Sequence, residues 1–203
     1  EIKKIVYLMQ GQIAPAFEGQ EIGFGEKLIS SAIVKATGFS RKDVDERFSK
    51  TGDLGTTAEQ LIEGKQQGSL FVTELTVEKV FANLQRMSTR GGEGSQELKK
   101  KLLAELFNSA SPTEARYIAR IPLSNIRLGV GDPTIMDAFA IMIAKQNDKE
   151  FEEKKEDDRR KIKIELREQI ENAYNVYSDL GEIAEILKEH GMKGLANVSI
   201  TPG

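Results

Sequence analysis

The sequence predicts an all-α fold, a compact helical domain of two pseudo-symmetric halves, and three observations carry that expectation. Apolar residues recur at helical spacing in one segment after another, most of them opened by a capping residue and several closed by a glycine. No run of strict apolar–polar alternation, the mark of a half-buried strand, interrupts them. The third observation is a repeat. Glu21-Ile-Gly-Phe-Gly-Glu-Lys-Leu-Ile29 aligns with Arg127-Leu-Gly-Val-Gly-Asp-Pro-Thr-Ile135. Upstream, Tyr7-Leu8 matches Tyr117-Ile118; downstream, Val44, Phe48 and Asp53-Leu-Gly55 match Ile170, Tyr174 and Asp179-Leu-Gly181. Matched segments in one order point to an internal duplication, with a first half over about 1–70, a second over about 110–191, and linking helices between.

The elements follow in chain order. Residues 2–10 carry an apolar helical pattern and give way to a loop with Gly11, Pro15 and Gly19. Residues 26–37 form a helix with Leu28, Ile29, Ala32, Ile33 and Ala36 on one face, ended by Gly38. Ser40, with Asp43 three residues on, opens the next helix, whose Val44 and Phe48 face inward. Asp53 caps a helix over 54–63 that stops at Gly64. After the polar loop 65–68 comes the exposed run Ser69-Leu-Phe-Val72. Thr76 caps a helix from Val77 to Met87 with Val80, Phe81 and Leu84 buried. A glycine-rich loop over 88–95 leads to a helix with Leu98, Leu102, Leu103, Leu106 and Phe107 on one side and Lys99, Lys100 and Lys101 in its first turns. Ser111-Pro-Thr-Glu114 is a helix start with cap, proline and reciprocal glutamate in place. Asp132-Pro133 opens a helix to about Lys145. Residues 146–161, almost all charged, read as a solvated extension or loop, and Ile162, Leu166, Ile170, Ala173, Tyr174 and Tyr177 then restore helical period. Asp179 caps a last helix ending at His190-Gly191, with 192–203 extended.

Composition bounds the function. A hydrophobic content of 39% over 203 residues suffices for a globular core. The lack of cysteine excludes disulfides and thiolate metal sites and fits an intracellular protein. No apolar run is long enough to cross a bilayer and no signal peptide opens the chain, so no membrane partner is expected. Glu1 and the closing Thr-Pro-Gly203 read as the cut edges of a longer chain, with 196–203 the start of a linker. The net charge is −3, yet from Arg86 to Arg127 eight basic residues face only four glutamates, enough for a focused cationic patch.

No catalytic constellation is visible. His190 sits in a last helical turn, where a structural role at the helix C-terminus suffices, the carboxylates lack metal-ligand spacing, and no Walker loop occurs. The stretch is expected to bind rather than catalyse, with no metal and no cofactor of its own. Gly129 and Gly131 before a helix start, with Arg127 beside them, make an anion site, and Gly23, Gly25 and Lys27 repeat it in the first half. Gly91, Gly92, Gly94 and Ser95 ahead of Lys99 and Lys100 fit phosphate in the same way. Arg116 and Arg120, four apart on one helix face, could meet phosphates or the chain's own acids. Two symmetric anion sites suit a ligand with a dyad, and duplex DNA has one in its antiparallel backbones. The competing reading is a scaffold whose glycines only permit tight helix packing.

Thr113-Glu-Ala-Arg-Tyr-Ile-Ala-Arg120 and Ile126-Arg-Leu-Gly-Val-Gly-Asp132, with Gly52-Asp-Leu-Gly55 and Gly92-Glu-Gly-Ser95, resemble the DNA-binding domain of ATP-dependent DNA ligases, most closely the archaeal replicative type. The resemblance covers nearly the whole chain, about 1–195, and lacks the helices that usually open that domain. It implies an all-α, monomeric domain that grips nicked double-stranded DNA from the minor-groove side. The parent enzyme would use ATP and magnesium to join a 3′-hydroxyl to a 5′-phosphate in DNA replication, repair and recombination. No Lys-x-Asp-Gly attachment motif occurs here, so this stretch alone would be inactive. By the resemblance, Ser124, Asn125, Arg127 and Gly131 reach the minor groove and backbone. Gly91 to Ser95 with Lys99 and Lys100 hold phosphates, and Gly23, Gly25 and Lys27 are first-half counterparts. Pro122 breaks its helix early, and Ser124 stands where the family has glycine. Gln67, Ser69, Leu70 and Phe71 resemble a sliding-clamp motif, the alternative being that Leu70 and Phe71 fold into the domain's own core. The rival to DNA binding is a helical protein-interaction module whose basic patch meets an acidic partner.

Overall fold

Hydrogen-bonded caps open the helices where the sequence marks them. Ser40 accepts from the Asp43 N–H at 3.2 Å while Asp43 accepts from the Ser40 N–H at 2.9 Å. Ser111 and Glu114 form the same reciprocal box. Asp53, Thr76 and Asp179 accept from the N–H groups of Thr56, Lys79 and Glu182. The computed structural model describes residues 1–196 apart from 21, 23, 66–73, 90 and 93. Among these, all regular structure is helical: α1 (Ile2–Met9), α2 (Glu26–Thr37), α3 (Arg41–Thr51), α4 (Leu54–Glu63), α5 (Val77–Ser88), α6 (Ser95–Ser109), α7 (Pro112–Arg120), α8 (Asp132–Asn147), α9 (Glu156–Val176) and α10 (Leu180–Leu195). Short 3-10 turns lie at Ala16–Glu18, Ile121–Leu123 and Phe151–Glu153.

Two departures from the sequence reading have plain causes. The charged stretch 146–161 is not wholly solvated: Phe151, its one large apolar residue, sits on a 3-10 turn and is 3% exposed. One ring with nowhere else to go folds the connection inward. The last helix does not give way to extended chain at 192. Gly191 leaves helical geometry at φ 60°, after which the chain takes another helical turn that buries Leu195.

The chain forms two compact units. One comprises residues 1–10, 14–19 and the chain from Leu128 on, hence α1, α8, α9 and α10; the other comprises 11–13 and 20–127, hence α2 to α7. In the first unit α1 packs on α10 and α8 on α9, around Val6, Ile135, Phe139, Ile143, Ile170, Ile183 and Leu187. In the second, α4 packs on α7 and α2 on α6, with Ile29, Ile33, Leu61, Leu84, Leu103, Leu106 and Phe107 buried. Each unit thus takes in a helix from the other half of the sequence: α1, from the first half, completes the unit of α8 to α10, and α7, which opens the second half, completes the unit of α2 to α6.

The two Asp-Leu-Gly segments do matching work in this arrangement. A Cβ on Gly55 would lie 2.7 Å from the Arg116 carbonyl oxygen of α7 and 2.6 Å from Arg120 Nε. A Cβ on Gly181 would lie 2.5 Å from the Tyr7 ring of α1. Glycine is needed at both positions because a helix from the other half passes against them. The aspartates two residues earlier hold the same neighbours. Asp53 accepts from Arg120 Nη2 at 2.6 Å, and Asp179 accepts from the Tyr7 hydroxyl at 2.8 and 3.0 Å.

Candidate nucleic-acid interface

In the unit of α2 to α7, α6 begins from a glycine-rich turn. Gly92 and Gly94 take φ 84° and 77°, Gly94 is the N-cap with no side chain bonded to the helix start, and the Ser95 N–H donates to the Gly92 carbonyl at 3.3 Å. Gly91, Gly92 and Gly94 are exposed, and a Cβ on any of them would meet nothing within 4 Å. Lys99, in the second turn, donates to the Ile22 carbonyl oxygen at 3.3 Å and lies 5.5 Å from the centre of the Phe24 ring. Ile22 and Phe24 are themselves buried. Lys99 therefore ties the start of α6 to the segment that leads into α2, and two loops far apart in sequence become neighbours. Lys100 pairs with Glu97, and that hydrogen bond holds the Glu97 carboxyl below the usual carboxylate range.

The segment so anchored opens α2 through Gly25, an N-cap in extended backbone at φ −89° with no side-chain cap. Neither that φ nor crowding explains a glycine, since a Cβ there would meet nothing within 4 Å. What glycine supplies is clearance outward, together with the N–H groups of an uncapped first turn. Glu26 and Lys27 beside it are exposed. Gly23 lies outside the described residues.

Three expected cations of this unit divide by environment. Arg120 is only 11% exposed and is committed to Asp53. Burial pushes the Asp53 carboxyl up, but hydrogen bonds from Arg120 and Thr56 outweigh it and hold it far below the usual range. Arg116 donates through Nε to Glu59 at 2.7 Å, and that bond raises its pKa further. Arg127 stands apart from both. It is half exposed, its Nε donates to Asn125 Oδ1 at 3.2 Å, and its Nη1 is 3.9 Å from Asp53. Ser124 and Arg127 take left-handed φ values of 52° and 50°, rare for residues with a side chain. The turn that Pro122 begins is thus a backbone suited to glycine that carries serine and arginine instead, and Ser124 and Asn125 project from it exposed.

In the other unit, α8 opens from Gly129 at φ 73° and Gly131, an exposed N-cap in extended backbone. A Cβ on Gly131 would make only ordinary contact, 3.6 Å from Pro133 Cδ. This opening has one donor fewer than that of α2, since Pro133 has no N–H; the N–H of each helix's third residue donates back to its N-cap carbonyl at 2.9 Å, Thr134 to Gly131 and Leu28 to Gly25. Asp132 is held by both oxygens, from Gln10 Nε2 and from the Tyr174 hydroxyl, each at 2.8 Å. Burial and that bond push the Tyr174 hydroxyl up to about 12. Tyr174 reads as a core residue in the sequence, and Gln10 carries no signal at all.

The structure gathers Gly25, Lys27, Gly91, Gly92, Gly94, Ser95, Lys99, Lys100, Arg116, Arg120, Ser124, Asn125 and Arg127 in one unit and puts Gly129 and Gly131 in the other. The clamp-motif residues Gln67, Ser69, Leu70 and Phe71 lie outside the described residues. His190 is exposed, 3.8 Å from Glu189. Among the described residues no His, Asp and Glu cluster could hold a metal ion, and no helix is long and apolar enough to cross a membrane.

Comparison with known proteins identifies relatives along the whole chain. The family model described as DNA ligase N terminus matches residues 1–140. The chain is 41% identical over 202 residues to DNA ligase 2 of Korarchaeum cryptofilum, covering 100% of this chain and 31% of the relative. It is 42% identical over 191 residues to a DNA ligase of Nitrosopumilus maritimus, covering 94% and 30%, and 39% identical over 203 residues to DNA ligase 1 of Methanosarcina barkeri, covering 100% and 33%. The chain therefore spans about a third of the length of these curated relatives.

Proposed function

Because the chain belongs to the DNA ligase N-terminus family, we propose that it binds nicked duplex DNA irrespective of sequence, through the minor groove and the phosphates, on behalf of an ATP-dependent DNA ligase of replication and repair. The observation that carries this reading is Lys99 joining the α6 turn to the segment before α2. It presents two uncapped helix starts in one unit, both fronted by glycines that leave room for a close neighbour. Lys27, Lys99 and Lys100 supply the charge. Ser124, Asn125 and Arg127 meet the minor groove from their left-handed turn, with Arg120 and Arg116 bracing α7 beneath it. Gly129 and Gly131 serve the opposite backbone.

In this reading residues 1–195 are the DNA-binding domain, two duplicated sets of helices, and 196–203 begin a linker to the nucleotide-handling parts. ATP and magnesium belong to those parts; this stretch takes no cofactor and seals nothing alone. The protein is a monomer, works inside the cell, and meets the sliding clamp through Gln67, Ser69, Leu70 and Phe71.

Fluorescence anisotropy with nicked duplexes of unrelated sequence tests the reading. If about five phosphates are neutralised, log affinity should fall against log salt with a slope near −4 to −5. Arg127→Glu and Lys99→Glu should weaken every duplex alike, by about tenfold each, roughly the 1.4 kcal/mol of one lost charge-assisted contact. Failure to bind plain duplex, or losses confined to some sequences, would rule the proposal out. Replacing Leu70 and Phe71 by alanine should abolish clamp binding and spare DNA binding; unchanged clamp binding rejects that role.

A further inference from the structure

A groove of about 480 Å³ lies in the unit of α1, α8, α9 and α10, between the last turns of α8 and the first turns of α9. Its apolar lining is Ile141 and Phe151, and Arg159, Arg160 and Lys163 stand around it with Glu152 and Glu156. The charges are unequally satisfied. Lys145 and Arg159 both pair with Glu152, and they hold its carboxyl below the usual range. Among the described residues neither Arg160 nor Lys163 has a carboxylate within ion-pair distance. Three cations thus line the groove with two acids, on a chain whose formal net charge is −3. One turn beyond Arg160 on the same helical face, Ile164 is 49% exposed, one of the few large apolar side chains left in water.

We propose that this groove docks an acidic polypeptide segment carrying a large apolar side chain: carboxylates meet Arg160 and Lys163, and the apolar group packs on Ile164, next to Lys163 and one helical turn from Arg160. Charge complementarity and the exposed isoleucine select that occupant. A sugar-phosphate backbone has no N–H donors for Glu156 and would set its phosphates against that carboxylate, whereas a peptide has N–H groups for it and a large apolar side chain for Ile164. The groove also lies toward the end of α8 opposite Gly131, about 15 Å along the helix axis at 1.5 Å per residue. The site therefore does not rest on the DNA-binding reading.

The full 203-residue chain is titrated against a labelled short peptide of alternating glutamate and leucine, with oligo-glutamate and a nicked duplex as parallel probes. The alternating peptide should bind, and Arg160→Glu with Lys163→Glu should weaken it about tenfold or more, as two reversed exposed charges would. Ile164→Ser should weaken it about fivefold while leaving oligo-glutamate unaffected, since half an isoleucine's burial is lost. All three positions are exposed, and thermal melting verifies the fold of each variant. No binding of the alternating peptide at millimolar concentration, or equal binding by the charge-reversed chain, overturns the proposal. So does a loss of duplex affinity in the charge-reversed chain as large as in Lys99→Glu, which would place the groove in the DNA footprint. An equal effect of Ile164→Ser on oligo-glutamate removes the apolar anchor and rejects the proposed chemistry.

Discussion

Asp53 is the most consequential side chain of the α2–α7 unit. It caps α4, takes two hydrogen bonds from Thr56, and neutralises an arginine that is nine-tenths buried. Removing one member of such a pair strands the other. Arg120→Met should therefore cost about 3–5 kcal/mol, measured by urea unfolding. Arg116→Met, whose guanidinium is one-third exposed, should cost far less. Because the folded Asp53 carboxyl lies well below its ordinary value, its contribution is complete above that value, near pH ~4, and is lost as pH falls through the lower folded one. Asp53→Asn should flatten the acid limb of stability against pH, and an unchanged limb would assign acid unfolding to other carboxylates. At this scale the sequence was partly legible: the cap Asp53 and the arginine pair could be read from position. That Arg120 turns inward while Arg127 faces water could not, because nothing local distinguishes them; the choice is made by Asp53, which is 67 residues from Arg120.

At the scale of elements, glycine does two opposite jobs. Gly55 and Gly181 lie under helices, and an added methyl there would drive into a backbone carbonyl or a tyrosine ring. Gly55→Ala and Gly181→Ala should each destabilise by about 1–3 kcal/mol, lowering the melting temperature by roughly 2–4 °C per kcal/mol in a chain this size. Gly25→Ala has no such neighbour and should lower the melting temperature by no more than about 4 °C, the cost of alanine for glycine at an N-cap, while weakening duplex binding if a backbone comes close there. A melting loss at Gly25 as large as at Gly55, without a binding loss, would make it a packing glycine after all. The helices themselves are legible because their signals are local: Ser40 with Asp43 and Ser111 with Glu114 are complete capping boxes four residues long. The burial of Phe151 is not legible because a charged window outvotes one ring, nor is the turn after Gly191, because a lone glycine reads as a stop.

Over the whole molecule, the pairing of helices was the least legible feature. The repeat divides the sequence into two halves, but contact partners depend on which helix a neighbouring face accepts. Here α1 joins α10, and α7 joins α4. A cut after Ala110 should therefore release neither unit. Residues 1–110 would lack the helix covering α4, and 111–203 the helix covering α10. Each piece alone should melt without cooperativity, and mixing them should restore a single transition in calorimetry; a cooperative melt of either piece alone would contradict this pairing.

The pairing of α1 with α10 also bears on how the protein is made. Lys3 and Tyr7 leave the ribosome 179 and 172 residues ahead of Glu182 and Asp179, and they can pair with them only once α10 has been made. Until then the Val6 face of a nascent amphipathic helix has no native surface to cover it, so that unit can close only after α10 has emerged.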